Sequence, residues 1–314
     1  MGMEQKTKIM FLGTPEFARP TLEKLVQGGF GPDLVVCAPD KPTGRTQILT
    51  PPPVKTAAQK LGLKIFQTEK KEELEKLVLE EKPDLIICAA FSLILTPSIL
   101  AEPRLDCLNI HPSLLPRWRG ASPLQSAILA GDKKTGVTII KMTEKIDAGP
   151  IVAQKEVEIN DKISTPELSL ILAHEGADLL LKILPDWIEE KIEPKPQNEN
   201  EATFSLIIKK EDGKIDWSKS AAEIERQIRA FHPWPGSFSK IAGRKIKIME
   251  AGIEEREEPL KKIGEIFLNK NGQLCVKTKK GSFIPKIVQA EGNKEMEAAD
   301  FLRGHKEIIG QILN

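Results

Sequence analysis

The run CLNIHP, residues 107 to 112, starts as an apolar strand and ends in an amide and an imidazole. In an extended chain alternate residues face the same way, so Asn109 and His111 point together while Ile110 points into the opposite layer. Pro112 keeps His111 extended and stops the strand from passing directly into a helix, which leaves both side chains at the carboxyl edge of a sheet. Ligands bind at that edge in open α/β folds. An Asn supplies an N–H donor and a protonated His a charged one, a pair suited to the oxyanion that forms when a nucleophile adds to a carbonyl. Such a His needs a carboxylate to hold it and to favour its charged form. Asp147, in TEKIDAGPI, is the candidate, because Ala148, Gly149 and Pro150 resist regular structure and leave it at a strand edge. A histidine ending a strand and an aspartate in a turn also have ordinary structural roles, so these three residues alone do not fix a function.

Other chemistries find less support. Ser113, two residues beyond His111, has no G-x-S-x-G elbow around it. His174, His232 and His305 have no ligand-spaced partners, and Cys37, Cys88, Cys107 and Cys275 are widely separated, as buried free thiols are; no metal site is expected. The turn GTPEFA carries one glycine where the dinucleotide fingerprint needs three, and no P-loop occurs. Gly13 there reads as the residue of a tight strand-to-helix turn.

The elements that must position the Asn–His pair follow from alternation of apolar runs with helical patterns, the sign of a parallel sheet with crossover helices. Strands are expected at 8–13, 33–39, 63–66, 84–91 and 107–111, with helices at 18–29 and 70–82 between them. The strands are apolar on both faces, so helices should cover both sides of the sheet. A helix at 122–130, strands at 136–142 and 151–159 and a long helix from about Thr165 complete a first domain at 1–190. The segment 191–207, rich in Pro, Asn and Glu, reads as a linker. A second domain at 208–314 opens with a helix at 220–231 and continues in short strands between Gly, Asn and charged turns, the pattern of a small barrel.

With 314 residues, 40% of them hydrophobic, the chain can bury a sizeable core. Its longest apolar runs, such as 85–91, are far shorter than a membrane span, and no apolar segment follows the first residues; a cytoplasmic protein without membrane contact, and a monomer, is expected. The net charge of +1 conceals an asymmetry: residues 208–314 hold 21 Lys+Arg against 16 Asp+Glu, a net of +5, which leaves −4 for the remainder. The connection at 39–52 is long for an α/β unit, and with the helix start that follows it carries Lys41, Arg45, Lys55 and Lys60 against a single acid, Asp40.

NIHPSLLPRWRGASP (109–123), with IDAGPI downstream (146–151), closely resembles the signature of the folate-dependent formyltransferases. The trio Asn, His and Asp that is catalytic in that family matches Asn109, His111 and Asp147. FLGTPEFA (11–18), PDKPTGR (39–45) followed by PPPVK, FSLILTPSIL (91–100) and IDWSKSAAEIERQIRAFHPWPG (215–236) resemble the branch that acts on initiator tRNA, so the likeness covers nearly the whole chain. It implies a Rossmann-like, mostly parallel α/β formyltransferase domain and a small C-terminal OB-like β-barrel. It also implies 10-formyltetrahydrofolate as formyl donor and methionyl-initiator tRNA as acceptor. By the same resemblance Ser113, Leu114, Leu115 and Pro116 would lie in the folate site, and the chain around Phe91, Leu93 and Leu95 would line the pterin pocket. Lys41, Arg45 and Lys55 would meet tRNA, with Arg45 at the principal basic position. Thr46, Gln47 and Ile48 depart from the glycine and lysines that often follow that arginine. A formyltransferase acting on an amino-sugar nucleotide, or a non-catalytic RNA-binding protein on the same scaffold, are the alternatives.

Overall fold

A computed structural model describes residues 6–44, 46–256 and 258–313. The chain forms two compact units: the first holds the chain through Pro123, Lys134–Ile159 and Ser169–Ser205, the second Leu124–Lys133, Asn160–Leu168 and the chain from Leu206 onward.

In chain order the first run of elements is β1 (Ile9–Gly13), α1 (Arg19–Gln27), β2 (Leu34–Cys37), β3 (Lys41–Thr43), β4 (Ile48–Thr50), α2 (Pro53–Lys60), β5 (Ile65–Gln67) and α3 (Lys71–Glu81). It continues with β6 (Leu85–Ala89), α4 (Pro97–Ala101), β7 (Cys107–His111), α5 (Pro123–Ala130), β8 (Lys134–Lys141), β9 (Ile151–Glu158) and α6 (Thr165–Ile188). Seven strands make one sheet in the order β5-β2-β1-β6-β7-β8-β9, parallel from β5 to β7 and antiparallel at the β7–β8 and β8–β9 pairings. The chain builds outward from β1 through β2 to β5 and then returns to the other side with β6 and β7, so the strand order reverses between β1 and β6. Crevices at the carboxyl ends of strands open at such a reversal.

Every residue of β1, β2 and β6 is buried, as expected of strands covered on both faces. On one face Met10, Leu12, Val36, Ile86, Cys88 and Cys107 share a core with Leu74 and Val78 of α3 and Ile99 of α4. On the other, Ile110 and Val137 lie under Gly176 of α6, where an added Cβ would come within 2.7 Å of the Ile110 side chain. Gly13 ends β1 so tightly that a Cβ there would sit 2.8 Å from Ala18 and 3.0 Å from the Ala89 carbonyl, which agrees with its reading as a turn residue.

The connection at 39–52 is more ordered than an extended loop. β3 and β4 pair antiparallel, Lys41 with Thr50 and Thr43 with Ile48, because β-branched residues flank a tight reversal. Ile48 and Leu49 are each 64% exposed on this ribbon. Arg45, in the reversal, lies outside the described residues.

The second unit contains α7 (Ala221–Ala230), β10 (Ser237–Ile241), β11 (Arg244–Glu254), β12 (Ile266–Leu268), β13 (Leu274–Lys277), β14 (Ser282–Ala290), β15 (Met296–Glu297) and α8 (Ala298–Gly304). The strands run antiparallel in the order β10-β11-β14-β13-β12, with β15 also on β14, and the sheet curls into half a barrel. Ile224 and Ile228 of α7 and Phe301 of α8 fill its concave side against Ile246, Ile248, Val276, Phe283 and Val288. α7 starts at a capping box, with Ser220 Oγ accepting from the Glu223 amide at 3.2 Å and the Glu223 carboxylate accepting from the Ser220 amide at 2.9 Å.

Candidate active site

β7 carries the pair. Its register sets Asn109 beside Cys88 of β6 and Ile140 of β8, and His111 beside Thr138. Cys107 belongs to the α3/α4 face, so by alternation Asn109 and His111 face that side as well. Asn109 is half-buried and His111 is 4% exposed.

Both ring nitrogens of His111 face oxygen. Nε2 lies 3.0 Å from the Trp118 carbonyl, and Nδ1 lies 3.5 Å from an Asp147 carboxylate oxygen. A carbonyl can only accept, so Nε2 carries a hydrogen and Nδ1 is the nitrogen turned to the carboxylate. The 3.5 Å separation is longer than an ordinary hydrogen bond.

Asp147 is placed by backbone constraints. Its φ of 51° lies in the left-handed region, which Asp tolerates better than most residues. Its other carboxylate oxygen accepts from the Gly120 amide at 2.8 Å. Two residues on, a Cβ at Gly149 would fall 1.8 Å from the Lys141 carbonyl, so only glycine lets the loop return to β8 there. Burial, opposed by a hydrogen bond from the Phe91 amide and reinforced by the Asp147 charge, pushes the Cys88 thiol up to about 12.

The other expected ligand residues divide. Phe91 and Leu93, both half-buried, and buried Leu95 pack on the core that contains Cys88 and Cys107, on the face of Asn109 and His111. They offer an apolar wall beside the pair. In the SLLP run, Ser113 is fully buried and its hydroxyl donates to the Arg117 carbonyl at 2.6 Å. The Leu115 amide donates to Thr138 Oγ1 at 3.1 Å, and its carbonyl accepts from Gln154 at 2.7 Å. Leu114 and Pro116 are half-buried, with Leu114 lying against Gly136 of β8. Ser113 and Leu115 thus fix the shape of the loop through inward bonds.

The basic residues stand elsewhere. Lys41 is exposed and paired with Glu69 at 2.5 Å, while Lys55 holds Asp40 at 2.7 and 2.8 Å. The Lys55 ammonium, and then Gln67, hold the Asp40 carboxyl below its ordinary value. Both lysines follow β2, which β1 and β6 separate from β7.

Two groups were not legible in the sequence. Arg119 and Gln197 lie behind Asp147, the first inside the RWRG run and the second in a segment whose composition signals only irregular structure. In the second unit, the outward face of the β10–β11 ribbon carries Phe238 opposite Lys247 and Lys240 opposite Lys245. The Lys245 ammonium lies 3.6 Å from the centre of the Phe238 ring. Burial, then the neighbouring charges of Lys247 and Lys210, hold that ammonium below its ordinary value. Alternation of lysines with buried Ile246 and Ile248 was the available signal.

Among the described residues, no group of three His, Cys, Asp or Glu side chains is disposed to hold a metal ion, and no helix is long and apolar enough to cross a membrane.

A Rossmann-like sheet bearing an Asn–His pair at the carboxyl end of β7, with a carboxylate on the β8–β9 loop, defines a class, and sequence comparison agrees. Residues 7–184 match the formyl transferase family and residues 207–306 its C-terminal domain; the chain belongs to this family. Its relatives include the methionyl-tRNA formyltransferase of Bacillus cereus, 41% identical over 98% of both chains, and that of Bacillus pumilus, 42% identical over 98% of this chain and 97% of the other. Among solved structures the fold resembles WlaRD, a sugar 3N-formyl transferase crystallised with dTDP and 5-N-formyl-THF, with a TM-score of 0.67 at 19% identity over 92% of this chain and all of that one. It also resembles HypX from Aquifex aeolicus in complex with tetrahydrofolic acid, with a TM-score of 0.65 at 18% identity over 98% of this chain. This chain spans about half the length of HypX, 48%.

Proposed function

We infer that the protein transfers the formyl group of 10-formyltetrahydrofolate to the α-amino group of methionyl-initiator tRNA, giving N-formylmethionyl-tRNA and tetrahydrofolate. The observation that carries this reading is the Asn109–His111 pair beside Asp147, in a chain 41% identical to a methionyl-tRNA formyltransferase along nearly its whole length. The half-buried Phe91 and Leu93 beside the pair suit a flat heteroaromatic ring system, which supports a folate donor there. The reaction needs no covalent enzyme intermediate, because an amine is itself the nucleophile: its nitrogen bonds to the formyl carbon, and the bond from that carbon to the folate nitrogen breaks. Asn109 donates to the formyl oxygen as that oxygen gains charge. His111 donates its Nε2 hydrogen to the same oxygen in place of the Trp118 carbonyl. Asp147 keeps the imidazolium charged and helps carry the amine proton toward the departing folate nitrogen, through water where the distance requires it.

We assign the chemistry to residues 1–190, with 191–207 as the linker, and tRNA contact to 208–314 and the β3–β4 ribbon. Lysines directly opposite one another, as Lys240 and Lys245 are, repel, and a phosphate backbone relieves that repulsion. On the ribbon, Lys41, Arg45 and exposed Ile48 and Leu49 are the groups for an acceptor end; Lys55 supports the ribbon through Asp40. The protein works in the cytoplasm, as a monomer and away from membranes.

The test is to incubate the protein with 10-formyltetrahydrofolate and methionylated initiator tRNA, methionylated elongator tRNA, or an amino-sugar nucleotide. Formylmethionine from the initiator species is the expected product. Formylation of the sugar nucleotide alone would move the protein to the sugar-acting branch.

A further inference from the structure

The strongest unassigned feature lies behind Asp147, in the segment between α6 and the second unit. Gln197 Nε2 donates to the Asp147 carbonyl at 2.8 Å and to the Gly149 carbonyl at 2.7 Å. Its Oε1 accepts twice from the Arg119 guanidinium, at 3.1 and 2.8 Å. A flipped amide would set NH2 against guanidinium and oxygen against two carbonyls, so the orientation is fixed. Arg119 is 3% exposed and forks onto Glu199 at 2.9 and 2.8 Å. Next along the chain, Gly120 donates its amide to the Asp147 carboxylate. The same segment is stitched to the 116–122 loop: Arg119 N to the Thr203 carbonyl at 2.9 Å, Ser205 N to the Arg119 carbonyl at 2.7 Å, and Trp118 N to Thr203 Oγ1 at 2.9 Å.

Both halves of the trio's environment therefore hang on one brace. Trp118 supplies the carbonyl facing His111 Nε2, Gly120 holds the Asp147 carboxylate, and Gln197 holds the Asp147 backbone. We propose that Gln197, clamped by the Arg119–Glu199 pair, is a positioning residue that sets the Asp147 carboxylate against His111 for formyl transfer. It touches no reacting atom. Its two donors end on the backbone of a loop whose aspartate sits at positive φ, and a loop in that conformation is maintained by what surrounds it. The proposal rests on the formyl-transfer reading above.

Full-length wild type, Gln197→Ala, Gln197→Glu and Asn200→Ala are compared for kcat, for KM toward each substrate, for thermal unfolding and for the 1H–13C resonance of the His111 ring. Glu at 197 keeps an acceptor for buried Arg119 but removes both donors, so it isolates the clamp from the fold. Asn200, exposed in the same segment, is the control. The expected result for both Gln197 variants is a kcat lower by roughly 10- to 100-fold with either KM changed no more than about two-fold, the scale of a misplaced catalytic group. The His111 resonance should move as it does in Asp147→Asn, and Asn200→Ala should match wild type. A kcat for Gln197→Ala within about two-fold of wild type, or losses that follow the folded fraction alone, overturn the proposal. If wild type transfers no formyl group, the functional reading fails by itself; a His111 resonance unmoved in Gln197→Ala then overturns the positioning role independently.

Discussion

His111 already has its Nε2 on the Trp118 carbonyl, while its Nδ1 faces the Asp147 carboxylate at 3.5 Å. The half-buried amide of Asn109 is the less encumbered donor. Asn109→Ala and His111→Ala should each lower turnover by on the order of 10²–10³, the usual cost of losing one oxyanion donor. Initial rates at saturating substrates check this, and Asn109→Ala should unfold near the wild-type temperature because its side chain lies at the edge of the core. The cysteines make the contrasting case of residues that look reactive and are not. All four are buried; burial pushes Cys37 and Cys275 up to about 11 and raises Cys107 as well, so little thiolate forms at neutral pH. A thiol reagent should therefore label none of them quickly in the native protein and all four in denaturant, which a mass measurement resolves.

Between residue and fold, the 143–149 loop decides where Asp147 points. Its tightest position is Gly149, and Gly149→Ala forces a Cβ into the Lys141 carbonyl. Backbone cannot move aside as a side-chain tip can, so the variant should lose about 1–3 kcal/mol of stability. Turnover should fall further than stability alone explains, since the shift reaches the carboxylate two residues away; denaturant melts and kcat on the same samples separate the effects. The strands β1, β2 and β6 were legible as apolar runs, because a strand covered on both faces has no polar alternation to obscure it. The β3–β4 ribbon was not, because Pro42 and the exposed KPTGRTQILT composition carry loop signals while cross-strand pairing supplies the order.

At the level of the whole chain, the charge asymmetry acquires a location. Lys240, Lys245 and Lys247 share the outward face of β10–β11, with Lys210 near enough to act on Lys245. If these lysines hold phosphates, tRNA affinity falls with salt, and Lys245→Ala together with Lys247→Ala should lower the slope of log K against log salt by about one unit for each phosphate released. Formyl-donor KM should not move. Binding measured between low and physiological salt checks it, and an unchanged slope would place the phosphate-binding groups elsewhere.

The order of residues is enough to read the layered α/β plan, the edge position of Asn109 and His111 and, through the run 109–123 with 146–151, the family. Those features are local: period-two alternation, a proline that ends a strand and a glycine that permits a turn leave their mark within a few residues. Folding, by contrast, sets His111 against Trp118 and Asp147, turns Ser113 inward, gives Lys55 to Asp40, and brings Gln197 onto the Asp147 loop fifty residues before it. These are pairings between segments far apart in the chain. An amide or guanidinium has the same composition whether it lies in solvent or under a catalytic loop, so its partner is set by the packing of the elements and not by its neighbours in sequence.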